Sequence, residues 1–455
     1  MSRFELVVRG RLVTPEEVFG GYLGIEGGTI AAVSREALDG PLLDVQGQLV
    51  FPGGIDAHVH VASGERYPEG WTRLGQSALA GGVTTVIDMP YDAPQPTVSA
   101  ELFRAKVERL RQGTLVDAAL YGTVRKRGGA ADIAGMAAAG ASAFKFSTYE
   151  TDPQRFPRVP NDELLAALRV LGDLGLPAVF HAEDGEIIDA LIAQLRPGGE
   201  GSPRLHARSR PPVSEMAAVA ALLELSRAVS AEGHPVKLHI AHLTVPEGFH
   251  LLEYYRTLGL DVSAETCIHY LTLSEDDLAE QGAPLKCNPP LRPPAMQDAL
   301  WAEVLAGRVA FITSDHAPWP PEDKDQPNIF DNRSGMPGLH TMLPLLYSEG
   351  VVRRGLSLQD FARLSASGPA DRFGLAHRKG RLRVGLDADL TILDPQGSWT
   401  VRAAESYSVA RHSAYEGRTL VGKVTRTLLR GQTVFDGQRV SAQPGFAGFL
   451  TPEFG

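Results

Sequence analysis

Two histidines separated by one residue end an apolar segment near the N-terminus. The segment FPGGIDAHVHV carries His58 and His60, in a chain with 13 histidines among 455 residues. Because alternate side chains of a β-strand point to the same face, both imidazoles would share a face with Asp56. An isolated pair of this kind is often satisfied by backbone or water, but two adjacent imidazoles can also bind a metal ion. The pair predicts half of a metal site.

Further polar side chains end other strand-like segments. Lys145 in AFKFS, His181 in PAVFHAED, His242 in LHIAHLT and Asp315 in FITSDHAP each close an apolar run. In a (β/α)₈ barrel the carboxyl ends of the strands meet at one face, where the chemistry takes place. Any one of these residues could be an ordinary polar strand end. Six of them at the same end of successive strands predict a metal centre.

Lys145 is the unexpected member of this set, because an ammonium group repels a divalent cation. If its amine reacts with carbon dioxide, the resulting carbamate is an anion that can bridge two ions about 3.5–4 Å apart. Two such ions would share a water molecule and lower its pKa towards neutrality. Imidazole and oxygen ligands suit zinc, and also cobalt, manganese or iron. If the carbamate forms, N6-carboxylated Lys145 would bridge two divalent metal ions in each subunit.

These residues need a scaffold that brings distant strand ends together. Residues 51–379 alternate apolar strand-like segments with helix-length connections, which is the pattern of βα units around a parallel sheet. Eight strand segments can be read from the sequence: FPGGIDAHVHV, VTTVIDM, LVDAALYG, ASAFKFS, PAVFHA, VKLHIAHL, DVSAET and VAFITSD. This number predicts an α/β fold with a closed (β/α)₈ barrel of the TIM type. An open doubly wound sheet is the alternative, although no G-x-G-x-x-G motif follows the first strand.

The two ends of the chain show a different pattern, with short β segments separated by glycines. FELVVRG, YLGIEGG and TIAAVS lie near the N-terminus, and ADLTILDP, VTRTLLRG and QTVFDG lie near the C-terminus. Such segments predict strands, and together the two ends predict one small β-sandwich domain. We assign residues 1–50 and 380–455 to this domain and residues 51–379 to the barrel.

The composition excludes several classes of partner. The chain is 43% hydrophobic and 22% charged, with a formal net charge of -10. Nucleic acids and anionic membranes are bound through clustered Lys and Arg, so we expect a small-molecule ligand and neither of those partners. The absence of a signal-peptide core and of an apolar run of about 18 residues predicts a cytoplasmic protein. Cys267 and Cys287 are too few for a disulfide framework and predict reduced thiols. We expect a homo-oligomer, either a dimer or a tetramer.

A set of motifs in a fixed order resembles a known enzyme family. The motifs are GGIDAHVHV, GGVTTVIDMP, FKFS, HAED, HIAHLT, ETCIHYL, GAPLKCNPPLR and SDHAP. They resemble the cyclic-amidohydrolase branch of the amidohydrolase superfamily, which contains dihydroorotases, hydantoinases and allantoinases, and the likeness spans essentially the whole chain. The resemblance implies a binuclear metal centre in a (β/α)₈ barrel beside a small β-sandwich.

The resemblance also implies a ligand assignment. One ion is expected at His58, His60 and Asp315, the other at His181 and His242, and carboxylated Lys145 between them. His239 is a competing candidate on the sixth strand. It lies three residues before His242, hence on the other face of a regular strand, and the family ligand is the histidine that precedes a Leu/Val-Ser/Thr pair. We therefore choose His242.

The reaction that the resemblance implies is hydrolysis of a ring amide. The metals polarise the carbonyl, a hydroxide that bridges them attacks it, and Asp315 takes the proton and passes it to the leaving nitrogen. The motifs ETCIHYL, LKCNPPLR and GERYPEGW are most similar to allantoinases, so we expect a hydrolase that opens allantoin to allantoate. The alternative is a hydantoinase or dihydropyrimidinase-like hydrolase of cyclic ureides.

Two other readings of the family have weaker support. Dihydroorotases usually carry an Arg two residues after the second metal histidine and an Asn directly after DMP, and this chain has Ala62 and Tyr91 there. A carboxylate-bearing substrate would therefore lack its usual partners. Non-catalytic scaffold members of the superfamily typically lose metal ligands, whereas all six are present here.

Three residues are predicted to contact the substrate. Tyr149 follows the lysine strand, where hydantoinases use an aromatic residue to hold the ring and the oxyanion. Asn288, in the KCNPP loop, is expected to present its backbone to the ring amide, and Arg66 belongs to a loop similar to that of allantoinases. The chain departs from the family at His340, where a Glu is usual.

Charged residues in HARSRPPVSE, after the fifth strand, also have family counterparts. They are Arg208, Arg210 and Glu215. We expect them to form structural ion pairs and not to contact the substrate.

Overall fold

The computed structural model describes residues 3–62, 69–198 and 200–454, and two large sheets form its framework. The strands in chain order are β1 (Leu6–Val13), β2 (Val18–Glu26), β3 (Thr29–Ser34), β4 (Leu42–Pro52), β5 (Gly54–Val59), β6 (Val83–Asp88), β7 (Asp117–Gly122), β8 (Ala143–Ser147), β9 (Pro177–His181), β10 (Lys237–Ile240), β11 (Asp261–Ala264), β12 (Thr266–Cys267), β13 (Ile312–Thr313), β14 (Leu390–Thr400), β15 (Thr419–Leu429) and β16 (Gln432–Phe435).

The helices lie mainly between the strands of the central region. The α-helices are α1 (Gly70–Ala80), α2 (Ala100–Gly113), α3 (Ile133–Ala138), α4 (Asn161–Leu174), α5 (Gly185–Leu195), α6 (Arg204–Ser209), α7 (Pro212–Ala231), α8 (Pro246–Thr257), α9 (Ile268–Thr272), α10 (Glu275–Gln281), α11 (Pro294–Leu305), α12 (Met342–Leu345), α13 (Leu358–Ala362) and α14 (Gly368–Arg372). Leu346–Val352 and Arg363–Ser367 are π-helical. Short 3₁₀ segments lie at Gly129–Asp132, Arg196–Gly198, Ala283–Leu285, Pro321–Asp323, Ile329–Asp331 and Ala403–Glu405. Among the described helices, none has both the length and the apolar character that a membrane crossing needs.

The central strands form a closed parallel barrel. Strands β5 to β11 pair in sequence order, and after Glu265 the chain continues as β12, which pairs in parallel with β13. The ring closes between β13 and β5, because His60 N–H donates to His316 O (2.9 Å) and His316 N–H donates to His58 O (3.3 Å). With β11 and β12 taken as one interrupted strand, the described chain contains the eight strands predicted. The (β/α)₈ fold is confirmed, and the doubly wound alternative is excluded.

Side-chain alternation decides which residues face the barrel interior. In β8, Phe144 and Phe146 pack outward into the large cluster beneath the helices, and Phe146 stacks on Phe180 with 5.1 Å between the ring centroids. Ala143 belongs to the separate cluster that fills the barrel. Because strand residues two apart share a face, Lys145 also points inward.

The second large sheet is built from both ends of the chain, as predicted. Its strand order is β16-β15-β14-β4-β1-β2-β3, and β14 joins the two ends by pairing antiparallel with β4. Its core contains the buried side chains Val8, Leu12, Leu23, Val50, Ile392 and Leu428. A single residue, Gly53, separates the end of β4 from the start of β5, so this sheet leads directly into the barrel. The residue boundaries assigned to the two domains remain a prediction.

A buried cluster of charges joins the two sheets. Lys379 Nζ lies 2.5 Å from Asp117 at the start of β7, and 2.7 and 2.6 Å from Asp387 and Asp389 before β14. Arg430 adds a second cation, 2.7 Å from Asp117. The three carboxylates lie close enough together to hold a metal ion. Because Lys379 contacts all three, the cluster is a network of ion pairs between the barrel and the β-sheet domain.

Candidate metal centre

All six predicted ligand residues line one cavity at the carboxyl ends of the barrel strands. His58 is in β5 and His60 follows it, Lys145 is in β8, His181 ends β9, His242 lies two residues after β10, and Asp315 lies two residues after β13. The closed barrel brings these residues together although they are separated by up to about 260 positions in the sequence.

The first group consists of His58, His60 and Asp315. Asp315 Oδ1 lies 3.3 Å from His58 Nε2 and 3.2 Å from His60 Nε2, and one ligand atom from each residue lies within 4.8 Å of the others. Two ligands about 2.0–2.1 Å from a tetrahedral zinc ion are separated by roughly 3.3 Å. The spacing of these three atoms therefore fits ligands of one cation.

The second group consists of His181 and His242. His181 Nδ1 lies 3.0 Å from His242 Nε2, and the ring of His242 is 5.3 Å from that of His58 between centroids. Burial lowers the pKa of His242 well below its usual value, and Lys145 is the next largest cause. Burial likewise lowers the pKa of His58. Both rings are therefore neutral near pH 7, which is the form that binds metal.

Lys145 lies between the two groups and has an amine suited to carboxylation. Its side chain is buried, and its Nζ has no hydrogen-bond partner among the described residues. Burial lowers the pKa of Lys145 to about 8, against the opposing charges of Glu265 and Asp315. A substantial neutral fraction makes the amine nucleophilic towards carbon dioxide. Because an unpaired buried amine is unfavourable, the donor set fits a bridging carbamate better than a free ammonium group.

The backbone is strained at two of the six positions. His242 and Asp315 have φ angles of 41° and 44°, in the left-handed region that non-glycine residues seldom adopt. Such a conformation costs about 1–3 kcal/mol and is found mainly at functional sites. Both residues follow the end of a strand, and the strained turn accompanies side chains that face the cavity.

Two carboxylates orient the histidines, and the sequence reasoning did not single them out. Glu265 Oε1 lies 2.6 Å from His58 Nδ1, and Glu183 Oε2 lies 2.7 Å from His181 Nε2. Because one nitrogen of each ring contacts a carboxylate, the other nitrogen, Nε2 of His58 and Nδ1 of His181, faces the cavity. Carboxylates in this position are a common feature of metal-binding histidines. Both carboxylates lie in motifs that carry the family resemblance, ETCIHYL and HAED, and this position could have indicated them.

His239, the competing candidate, lies deeper in the barrel. Its Nδ1 is 2.8 Å from Ser263 Oγ, its Nε2 is 3.3 Å from Glu265 Oε2, and its ring stacks on Phe311 at 4.9 Å between centroids. It is not among the residues that line the cavity in the described part of the chain. This geometry favours the choice of His242.

Aromatic side chains form one wall of the cavity. Tyr91 and Phe156 stack with 3.6 Å between ring centroids and 23° between planes, and Trp319 also lines the cavity. Tyr149, which we expected there, does not line it within the described residues. Its ring lies under the guanidinium of Arg210 at 4.4 Å. The aromatic residues that line the cavity come from the loops after β6, β8 and β13.

The other two predicted substrate contacts differ in outcome. Asn288 lines the cavity, together with Ser334 and Gly335 from the SGMPG segment. With its amide oriented to satisfy both neighbours, Asn288 Nδ2 donates to Ser334 Oγ (3.2 Å) and its oxygen accepts from Arg210 Nη2 (3.3 Å). Arg66 lies outside the described residues.

A charged pair at the cavity was also missed by the sequence reasoning. Arg155 and Asp152 both line the cavity, with 3.4 Å between Arg155 Nε and Asp152 Oδ2. Arg155 is therefore a cation at the cavity that the sequence reasoning did not name. The arginine is paired, however, so the two side chains together add no net charge.

The charged residues of HARSRPPVSE form ion pairs, with one exception. Arg210 pairs with Glu183, and Glu215 pairs with Arg292 and accepts the Thr244 backbone N–H at 3.0 Å. All four charged side chains are buried. Because Glu183 contacts His181 and Thr244 follows His242 by two residues, this network lies directly behind the second histidine pair. Arg208 is exposed.

Comparisons with known proteins agree with this geometry. The sequence model of the Amidohydrolase family matches residues 49–434. An allantoinase from Rubrobacter xylanophilus is 37% identical, over 100% of this chain and 99% of its own length. An allantoinase from Solibacter usitatus is 36% identical, over 97% and 96%. Among solved structures, the L-hydantoinase (dihydropyrimidinase) from Arthrobacter aurescens has a TM-score of 0.92 at 30% identity, covering 98% of this chain and 100% of its own. A D-hydantoinase has a TM-score of 0.91 at 27% identity, covering 99% of each chain.

Proposed function

Because this chain belongs to the amidohydrolase family, whose members are metal-dependent hydrolases, we propose that it opens the ring of allantoin to give allantoate. The observation that carries the proposal is the full-length likeness to allantoinases, at 37% and 36% identity. It includes every described loop around the cavity, and these loops contact the substrate in barrel enzymes. The alternative predicted from the sequence, a hydantoinase, is not favoured by these relatives.

We propose that two divalent cations occupy the cavity, with zinc as the expected metal and cobalt, manganese or iron as alternatives. One would be held by the group of His58, His60 and Asp315 and the other by the pair His181 and His242, with carboxylated Lys145 between them. The support is the ligand spacing and the unpaired, buried Lys145 Nζ. Bound cations would polarise the ring carbonyl and lower the pKa of a water molecule.

Asp315 is proposed to transfer the proton. Its side chain is 11% exposed, and its Oδ1 faces the nitrogens of His58 and His60. Oδ2 is the oxygen that would accept a proton from the attacking water and donate it to the ring nitrogen as the C–N bond breaks. A group that acts as base and then as acid must reach both atoms. Its place at the edge of the cavity, past the end of β13, is suited to that task.

The cavity walls are proposed to bind a flat ureide ring. The stacked pair Tyr91 and Phe156 offers an aromatic surface, and aromatic contacts of this kind contribute about 0.5–1.5 kcal/mol beyond the area that they bury. The segments around Asn288 and Gly335 also line the cavity. Backbone N–H and C=O groups there could recognise the amide of the ring.

A neutral ring should be preferred to dihydroorotate. Ala62 and Tyr91 occupy the positions of the usual carboxylate-binding residues, and Arg155 is paired with Asp152. A substrate carboxylate would have to compete with Asp152 for the guanidinium. Leaving a buried charge poorly paired costs several kcal/mol.

The test is a panel of substrates on purified, metal-loaded protein: allantoin, 5-substituted hydantoins, dihydrouracil and dihydroorotate. We expect kcat/KM for allantoin to exceed that for dihydroorotate by at least about tenfold, or about 1.4 kcal/mol of transition-state discrimination. Efficient dihydroorotate hydrolysis would contradict the carboxylate argument. Activity on hydantoins with none on allantoin would overturn the allantoin assignment and favour the alternative.

The predicted homo-oligomer and cytoplasmic location remain proposals. A dimer or a tetramer would be distinguished by light scattering of the purified protein, and the location by fractionation of the cells that produce it.

A further inference from the structure

We propose that Glu265 and Glu183 are positioning residues that turn opposite ring nitrogens of His58 and His181 towards the cavity, and so set the affinities of two cation positions separately. This inference rests on the binuclear centre of the proposed function. It assigns a role to two buried carboxylates that are not themselves proposed ligands of a metal ion.

Glu265 is fixed at the junction of β11 and β12. It is 1% exposed, its backbone N–H donates to Ile240 O (3.0 Å), and its carbonyl accepts from Leu243 N–H (2.9 Å). Its Oε1 lies 2.6 Å from His58 Nδ1. When Nδ1–H donates a hydrogen bond to the carboxylate, the lone pair of the neutral ring is on Nε2. That nitrogen is the one 3.3 Å from Asp315 Oδ1.

Glu183 contacts the other ring nitrogen, Nε2, in His181. It is fully buried and held by Arg210, and its backbone N–H donates to Thr148 Oγ1 (3.0 Å). Its Oε2 lies 2.7 Å from His181 Nε2. The lone pair therefore stays on Nδ1, which is 3.0 Å from His242 Nε2. Each carboxylate thus serves one of the two proposed cation positions.

The two carboxylates differ in how their charge is balanced. Glu183 is paired with the guanidinium of Arg210, whereas both oxygens of Glu265 face imidazoles, with His239 Nε2 3.3 Å from Oε2. The printed side-chain contacts of Glu265 are thus hydrogen bonds with buried imidazoles, whereas Glu183 also neutralises a buried guanidinium.

This asymmetry separates positioning from a merely structural role. We expect metal-free Glu265→Gln to melt close to the temperature of metal-free wild type, because the isosteric amide fills the same space and leaves no guanidinium without its partner. Its cation affinity should fall by about 10- to 100-fold, as is typical when such a partner of a metal ligand is lost. One amide oxygen cannot accept from both imidazoles and carries no charge.

The experiment assigns each effect to one cation position. Zn²⁺ affinity is measured by chelator competition in two backgrounds: His242→Ala, which leaves the position of His58, His60 and Asp315, and His60→Ala, which leaves the position of His181 and His242. We expect Glu265→Gln to weaken binding in the His242→Ala background and to change it less than about twofold in the other. Glu183→Gln should show the reverse.

Three results have distinct meanings. Equal losses in both backgrounds, or unchanged affinity in both, would overturn the separate roles of the two carboxylates. A metal-free Glu265→Gln protein that melts well below wild type would show that Glu265 is a structural residue and would also overturn the inference. Wild-type protein that binds no Zn²⁺ would instead overturn the binuclear centre itself, so the two failures are distinguishable.

Discussion

His181 Nδ1 lies 3.0 Å from His242 Nε2, across the carboxyl ends of the neighbouring strands β9 and β10. Two imidazole nitrogens at this distance share either a proton or a cation. Burial lowers the pKa of His242 well below its usual value, so its ring is neutral near pH 7 and its lone pair is available to a metal ion. If the proposed cation binds this pair, stability should depend on metal.

We expect Zn²⁺ to stabilise the metal-free protein against unfolding. At a free concentration 100 times Kd, one bound ion adds about 2.7 kcal/mol to the free energy of unfolding. His242→Ala should lose part of the resulting rise in Tm, measured by thermal denaturation with and without Zn²⁺. His250→Ala is the matched control, because that side chain is 59% exposed on α8. An equal rise in His242→Ala and wild type would contradict the assignment.

Lys145→Ala should lose nearly all hydrolytic activity, because no other lysine among the described residues lines the cavity and could form the proposed bridging carbamate. Added acetate or propionate should restore part of the turnover by supplying a carboxylate in place of the carbamate. Lys126→Ala, which removes a lysine that is 48% exposed, should keep wild-type kcat/KM. Full activity of Lys145→Ala without an additive would exclude a bridging carbamate.

Arg210→Ala should destabilise the protein strongly. Its loss leaves Glu183 buried without a cation, which typically costs about 3–5 kcal/mol. Arg208→Ala, two residues away and exposed, should change the free energy of unfolding by no more than about 0.5 kcal/mol. Urea unfolding of the two variants checks the difference. Equal effects would show that the buried network behind His181 carries no particular stability.

Phe156→Ala should weaken substrate binding more than it slows the chemical step. The ring stacks on Tyr91 and lines the cavity, but it carries no group that could polarise the carbonyl or transfer a proton. Loss of about 1.4 kcal/mol of contact corresponds to a tenfold higher KM for allantoin, with kcat changed less. Tyr254→Ala, an exposed aromatic residue on α8, serves as the control. A fall in kcat at constant KM would contradict this role.

The sequence by itself determined the fold class and the set of candidate ligands. Period-two alternation places Lys145 and Ala143 on one face of β8, and this pattern depends only on local backbone geometry. Eight such strands alternating with helix-length connections favour a closed barrel, whose strand ends meet at one face. Residues at the ends of strands were therefore predictable, as the shared cavity of His58, Lys145, His181 and Asp315 shows.

Only the tertiary structure decided which side chains surround these ligands. The contact between His58 and Glu265 joins residues 207 positions apart, and no periodicity relates them. The loops after the strands determine that Tyr91 and Phe156, and not Tyr149, form the aromatic wall. A strand constrains its residues through the hydrogen bonds of the sheet, whereas a loop takes the conformation that packing allows. Local sequence patterns therefore place the residues near the strand ends, whereas the contacts of loop residues such as Asn288 and Tyr149 are decided by packing.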